Sequence, residues 1–148
     1  MNHRLRTTLS LTLLLSLAAC GGESPSPDPA DGAAPVPADA DLPIQGTMDI
    51  GPIDAALAVQ GETLYTTRCT TCHKMDERYV GPALGDVMAR REPEWVMNMI
   101  LAPDKMIVTD PEAQALLAEY SVPMTNQNLT RDEARAIVEY LRQTAEAP

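Results

Sequence analysis

The sequence contains no Phe, and aromatic residues make up only 3% of its 148 positions. Its β-branched residues never gather into alternating runs, so a sandwich or barrel of many strands is disfavoured. Basic residues are scarce: 11 Lys and Arg face 21 Asp and Glu, for a formal charge of −10 and a pI near 4.5. That balance repels phosphate and argues against a nucleic-acid module. There are two histidines, and one of them, His3, lies in a basic leader, which leaves little for a His-based hydrolase. The length allows one ordinary domain and little more. What the chain does have is Pro (13), Met (8) and three Cys.

His3, Arg4 and Arg6 make a basic start, Leu9 to Ala19 form an apolar run, and small residues lead into Cys20. This is the three-part layout of a secretory signal, and the run is too short for a permanent membrane span. Leu17-Ala18-Ala19-Cys20 resembles a bacterial lipoprotein cleavage box. The resemblance implies removal of a signal peptide at residues 1–19. It also implies a lipid on the Cys20 sulfur and a mature chain held at the periplasmic side of a bacterial membrane. The plainer reading is an ordinary signal with a coincidental Cys.

Beyond Ala19, nine bases stand against all 21 acids, so the mature side chains carry −12. Residues 21–54 hold seven acids, seven prolines and no Lys or Arg. Together with Cys20 they read as a disordered tether over 20–54, because such a composition buries too little to offset the entropy of ordering. In polyproline form, at roughly 3 Å per residue, the tether would reach on the order of 100 Å. The remaining block, 55–148, has 14 acids against nine bases, a balance of −5.

That block reads as all-α, with four helical stretches. From Ala55, Leu57, Gly61, Leu64 and Tyr65 share a face at spacings of three and four, leading into Cys69. Pro93 suits a first helical turn and is followed by Trp95, Val96, Met99 and Ile100. Asp110-Pro111 repeats the device ahead of Ala113, Leu116, Leu117 and Tyr120. Thr130 and Glu133 match a capping box, and Ala134, Ile137, Val138, Leu141 and Ala145 trace the last apolar face. No internal repeat is visible. Four short helices make a modest core, and small domains of this kind often need a metal, a disulfide or a large cofactor.

Cys69-Thr70-Thr71-Cys72-His73 is a C-x-x-C-H run, the attachment signature of c-type haem. Two thiols on one turn can add across both vinyl groups of one porphyrin, and the adjacent imidazole then reaches the iron from the same side. A thioredoxin-like redox pair would want a βαβ context, which the pattern lacks. A zinc site would want a fourth ligand, and Cys20 is the only other Cys in the mature chain. A bare disulfide remains compatible with an oxidising compartment but leaves His73 unexplained.

Residues 55–145 resemble a monohaem class I cytochrome c. Gly61 and Tyr65 precede Cys69 at steps of four, and Ile137 and Tyr140 look like the partners those residues pack against in the family. The resemblance implies a class I cytochrome c fold, about four helices around one covalently bound haem c. Within Gly81-Pro82-Ala83-Leu84, it implies that the Pro82 carbonyl accepts the axial His73 ring N–H and that Leu84 packs near the porphyrin. It gives Trp95 the role of donor to a haem propionate. Arg90 and Arg91 are candidates to pair with the same propionates, although solvated charge serves as well for either alone. Tyr79 and Asn126 are candidate polar residues of the pocket.

No second histidine survives processing, so the sixth iron ligand is sought among the soft side chains. Met75 is too close to His73 to reach the opposite face, and Met97 and Met99 fall inside a helix as core filling. Met124 lies 51 residues after His73, in the loop where the family places its axial Met. The family often has Pro after that Met, whereas Thr125 stands here. Met106 is the next candidate.

With His73 and Met124 both on the iron there is no open position for substrate. The expectation is an electron-transfer protein with no enzymatic activity, no small-molecule substrate and no nucleic acid. It would shuttle single electrons between respiratory donor and acceptor proteins, ending at a terminal oxidase or reductase. The alternatives are a haem enzyme or ligand sensor with a labile sixth ligand, and a lipoprotein with a purely structural disulfide or metal.

Overall fold

The computed structural model describes residues 41–146. The expected signal peptide, Cys20 and the first part of the expected tether lie outside the described residues. Among those described, the chain forms six helices and no strand. They are α1 (Ala55–Arg68), α2 (Val87–Arg90), α3 (Pro93–Leu101), α4 (Pro103–Thr109), α5 (Pro111–Tyr120) and α6 (Arg131–Glu146). The four helices expected from periodicity are α1, α3, α5 and α6. The two extra ones are short: α2, one turn, lies in the stretch between motif and α3, and α4, of seven residues, begins where Pro103 interrupts α3.

Local chemistry sets the helix starts. The Asp54 carboxylate accepts from the Ala56 and Leu57 amides at 2.9 and 3.0 Å, capping α1. Asp110 accepts from Ala113 N–H at 2.8 Å, with Pro111 behind it in the first turn of α5. At α6 the capping box closes both ways, with Thr130 N–H donating to Glu133 Oε2 at 2.7 Å and Glu133 N–H to Thr130 Oγ1 at 3.2 Å.

The terminal helices α1 and α6 form the principal helix pair. Gly61 makes that contact possible, since a Cβ there would sit 1.9 Å from Ala136 O and 2.9 Å from Tyr140 Cβ. One turn on, the Tyr65 and Tyr140 rings meet with centroids 5.4 Å apart and planes tilted by 46°. The glycine thus faces Ala136 and Tyr140, while Ile137 points into the core beside Val96, Ile100, Val138 and Leu141.

One expectation is corrected here. Residues 41–54 were assigned to the disordered tether by composition, yet they are packed onto the domain. Ile44 is 2% exposed in the core, and Met48 and Ile50 lie against it. Buried Asn98 on α3 clamps Ile44 from both sides: its Oδ1 accepts the Ile44 N–H at 2.9 Å and its Nδ2 donates to Ile44 O at 3.0 Å. Glu139, fully buried on α6, accepts from Asp54 N–H at 2.9 Å. The flanking Arg135 and Arg142 both pair with Glu139 and donate to Ile50 O and Gly51 O, at 3.1 and 2.7 Å. Burial pushes the Glu139 carboxyl up, but Arg135, the Asp54 N–H and Arg142 outweigh it and hold the group below its ordinary value. This segment therefore straps the helices from behind, and any tether ends before residue 41.

Candidate functional site

As α1 ends, the backbone tightens into a turn in which the Cys72 and His73 amides both donate to Cys69 O, at 3.0 and 2.9 Å. The turn brings Cys69, Cys72 and His73 to the wall of one cavity of about 240 Å³. Both cysteines are free thiols, so the disulfide reading finds no support in the structure. Burial, with Cys72 adding its field, pushes the Cys69 thiol up to about 11. Among the described residues no group of three or more His, Cys, Asp or Glu is placed to hold a metal ion.

His73 is held by its neighbours. Its Nδ1 lies 2.9 Å from Pro82 O. A carbonyl can only accept, so Nδ1 carries the proton and Nε2 keeps its lone pair for a metal. Gly81 makes this approach possible: a Cβ at that position would fall 2.5 Å from His73 Cε1. The Gly81 amide also donates to Cys72 O at 2.8 Å, tying the Gly-Pro turn to the motif. From α1, Tyr65 Oη–H donates to His73 O at 3.3 Å. Burial, then Cys69 and Tyr140, push the Tyr65 hydroxyl up to about 12, so it remains a donor.

The rest of the lining is mostly apolar, with Arg68, Arg90 and Arg91 among its polar members. Pro82, Leu84 and Trp95 line the cavity, and so do Ile100 on α3 and Leu116 and Leu117 on α5. Met124 lines it from the loop after α5, with Val122 and Pro123 beside it. Met99, expected as core filling, also lines it, whereas Met106 is 1% exposed within the fold and does not. Tyr79 and Asn126 do not line it either. Tyr79 is 56% exposed under the Lys74 ammonium, and Asn126 donates to Leu101 O at 3.1 Å. Their sequence neighbours Val80, Thr125 and Gln127 occupy the lining instead.

One polar atom in this wall has no partner. Trp95 Nε1 is buried and makes no hydrogen bond, a state that indole N–H groups seldom keep. The Arg91 guanidinium lies 5.0 Å over the Trp95 ring and pairs with Glu112 on α5 at 3.0 Å. Arg90 donates to Ala83 O and Asp86, at 2.9 and 2.8 Å. A mostly apolar cavity lined by two thiols and a free imidazole nitrogen, with an orphaned donor and the guanidiniums of Arg68, Arg90 and Arg91 in its wall, fits a flat apolar group with an anionic edge. Haem has that shape and chemistry.

The family model for cytochrome c matches residues 58–145. The chain belongs to the cytochrome c family. Among solved structures it is similar to cytochrome c from Rhodothermus marinus, at 50% identity and a TM-score of 0.68, covering 70% of this chain and 90% of that one. An engineered form of the Rhodothermus marinus protein matches at 48% identity and a TM-score of 0.68, over 71% and 91% of the two chains. The same engineered cytochrome bound to a carbene intermediate matches with a TM-score of 0.65. A curated relative, cytochrome c2 of Rhodopseudomonas palustris, is 44% identical over 46 residues, 31% of this chain and 32% of its own length. The match thus spans about a third of that relative. The cofactor of the family is a covalently attached c-type haem, and it is the cofactor of this chain.

Several residues that shape the site were not singled out for these tasks from the sequence. Gly81 was read as part of a turn; its second task, clearance for the His73 ring, is visible only when the two are brought together. The Tyr65 hydroxyl and the Arg91–Glu112 pair, which joins the end of α2 to α5, left no spacing signal at all.

Proposed function

We propose that this cytochrome is a one-electron carrier in which Cys69 and Cys72 would hold haem covalently and His73 and Met124 would supply the iron ligands. Bound there, haem supplies a reversible one-electron couple, which Met/His ligation poises at a raised potential. The observation that carries the reading is the state of His73, whose ring is fixed by Pro82 O on a cavity that Met124 also lines. Pro82 orients the imidazole so that Nε2 faces away from the carbonyl. Met124 closes the position that a substrate would need, and the apolar walls exclude water. Trp95 Nε1 would donate to a propionate, and Leu84 would pack against the ring.

The reading extends to the ends of the chain. Cys20 carries the lipid, residues up to about 40 form the tether, and the folded domain works at the periplasmic side of a bacterial membrane between respiratory donor and acceptor proteins. Anchoring of this kind takes more than one acyl chain, at roughly 0.8 kcal/mol per buried CH₂.

Met124→Ala tests the centre of the proposal. The two thiols should keep haem attached, while the weak far-red methionine-to-iron band of the ferric protein disappears, the potential falls and CO binds. Retention of the native spectrum would move the ligand elsewhere, with Met99 first because it lines the same cavity. A second reading, a haem enzyme or sensor, has one observation in its favour: an engineered relative of this fold holds a carbene intermediate. High-spin ferric iron or ready CO binding in the unaltered protein would establish it.

A further inference from the structure

Met124 sits in a loop that its own backbone does little to hold. From Val122 to Leu129 no backbone–backbone hydrogen bond forms among the described residues, and most of the stretch is exposed, with Met124 half-buried on the cavity. Ser121 (φ 57°) and Asn128 (φ 53°) bound the loop, and among the described residues they are the two non-glycine positions with positive φ. Such backbone persists where the surroundings enforce it. Side chains do so at each end. At the root, Arg78 reaches over from the bend five residues after His73. Its Nη1 donates to Glu119 Oε1 at 2.6 Å and its Nη2 to Glu119 O at 3.0 Å, and the guanidinium lies 4.0 Å over the Tyr120 ring. Tyr120 itself lines the cavity. Past Met124, Asn126 Nδ2 donates to Leu101 O at 3.1 Å, while its Oδ1 accepts the Asn128 N–H at 2.8 Å. In an unbroken helix the Lys105 N–H would close on Leu101 O. Here it donates to Ala102 O at 3.1 Å, and Asn126 takes its place.

Exposed ion pairs contribute little, and the side chains of Arg78 and Glu119 are both exposed, so their charges alone would hold nothing firmly. The carbonyl bond and the ring contact add to the pair, and they fall on the last two residues of α5. We infer that Arg78 and Asn126 are positioning residues for Met124: they fix the two ends of its loop and so set how rarely the sixth position on the iron opens. The inference rests on the His73 and Met124 reading above and adds what holds the second ligand in place. The thioether must leave before another ligand enters, and its departure lifts the loop. Lifting works against whatever pins the ends. Each pin therefore lowers the open fraction, and the apparent affinity of an entering ligand falls in the same proportion. Neither Arg78 nor Asn126 lines the cavity, so both act through the loop.

The test uses the haem-loaded ferric protein with imidazole as the entering ligand, read by loss of the far-red methionine-to-iron band. Arg78→Ala and Asn126→Ala should each raise the apparent affinity for imidazole at least about fivefold, in line with the loss of a cation–π contact or a hydrogen bond. Both variants should show the band before imidazole is added and melt within about 4 °C of the parent, which a general loosening of the fold would not allow. Glu119→Gln leaves the carbonyl and ring contacts of Arg78 in place and should stay within about twofold of the parent. Lys105→Ala removes an exposed cation that holds Asp41 O at 2.8 Å rather than the loop, and it should also stay within about twofold. Alanine variants at 78 and 126 that bind imidazole as the parent does would overturn the inference. So would Glu119→Gln or Lys105→Ala matching them, since charge alone would then be the cause. The parent spectrum separates the two levels. A parent without the band removes the Met124 ligation and its positioning residues together, while a parent with the band and indifferent variants removes the positioning residues alone.

Discussion

Replacing Gly61 by Ala tests the helix pairing on which the site is built. The added methyl would lie 1.9 Å from Ala136 O, 2.5 Å from Ala136 C and 2.9 Å from Tyr140 Cβ. Two of these atoms are backbone, so no rotamer change relieves the clash. Ordinary contact begins near 3.4 Å, so α1 and α6 must part by about 1.5 Å at this point. A gap of 0.5–1 Å already forfeits a quarter to a half of the dispersion well between facing atoms. The contacts at stake include fully buried Ala58, Ala134 and Val138, and the Tyr65–Tyr140 ring pair. Overpacking ordinarily costs 1–3 kcal/mol, and a forced separation of the main helix pair belongs at or above the top of that range, about 3–4 kcal/mol. At roughly 4–8 °C per kcal/mol for a domain of this size, Tm should fall by about 12–30 °C. Thermal unfolding of the haem-loaded variant followed by far-UV circular dichroism reads this directly. Val59→Ala, on an exposed face of the same helix, controls for the loss of a side chain and should change little. A Gly61→Ala melt within about 4 °C of the parent would mean the helices yield cheaply, and the close-approach argument would fail.

Three further expectations follow from particular contacts. Glu139 has a folded-state pKa below its ordinary 4.5, so the stability it lends is complete above the unfolded value and is lost as pH falls through the folded one. Glu139→Gln should accordingly flatten the acid limb of the stability–pH curve below about pH 4.5, and an unchanged limb would exclude the strap junction as its source. Asn98→Ala leaves two buried Ile44 backbone groups unpaired, costing roughly 1–3 kcal/mol per group. Limited proteolysis should then cut within 41–54 before the helices unfold, and cleavage elsewhere first would count against the strap. Trp95→Phe keeps the packing but removes the orphaned donor, so the potential should fall while the far-red band persists. An unchanged potential would deny Trp95 a bond to the anionic edge.

The features legible from sequence are those closed within a few residues. The capping box at Thr130 and Glu133, the Asp110–Pro111 start and the C-x-x-C-H turn each complete their hydrogen bonds or their geometry locally, so spacing alone displays them. The Gly61–Tyr65 pattern was legible for a related reason, because a helical face repeats at steps of three and four wherever it packs. Residues 41–54 were misassigned because composition averages over a window. Seven acids and seven prolines in 21–54 hide the few side chains, Ile44, Met48 and Ile50, that find a site on the helices.

What the sequence by itself determined is therefore the cofactor chemistry and the all-α class, since two thiols and an imidazole at that spacing, between helices with written caps, admit few arrangements. The tertiary structure decided which residues share the cavity. It turned Met106 away and brought Met99 and Met124 to the lining of one cavity, left Tyr79 outside that lining while placing Val80 at its edge, and set Gly81 against the His73 ring. It also bound residues 41–54 through Asn98 and Glu139, partners 54 and 85 positions from the groups they hold. Such pairings depend on how the helices cross, and no local hydrogen bond or periodicity encodes a crossing.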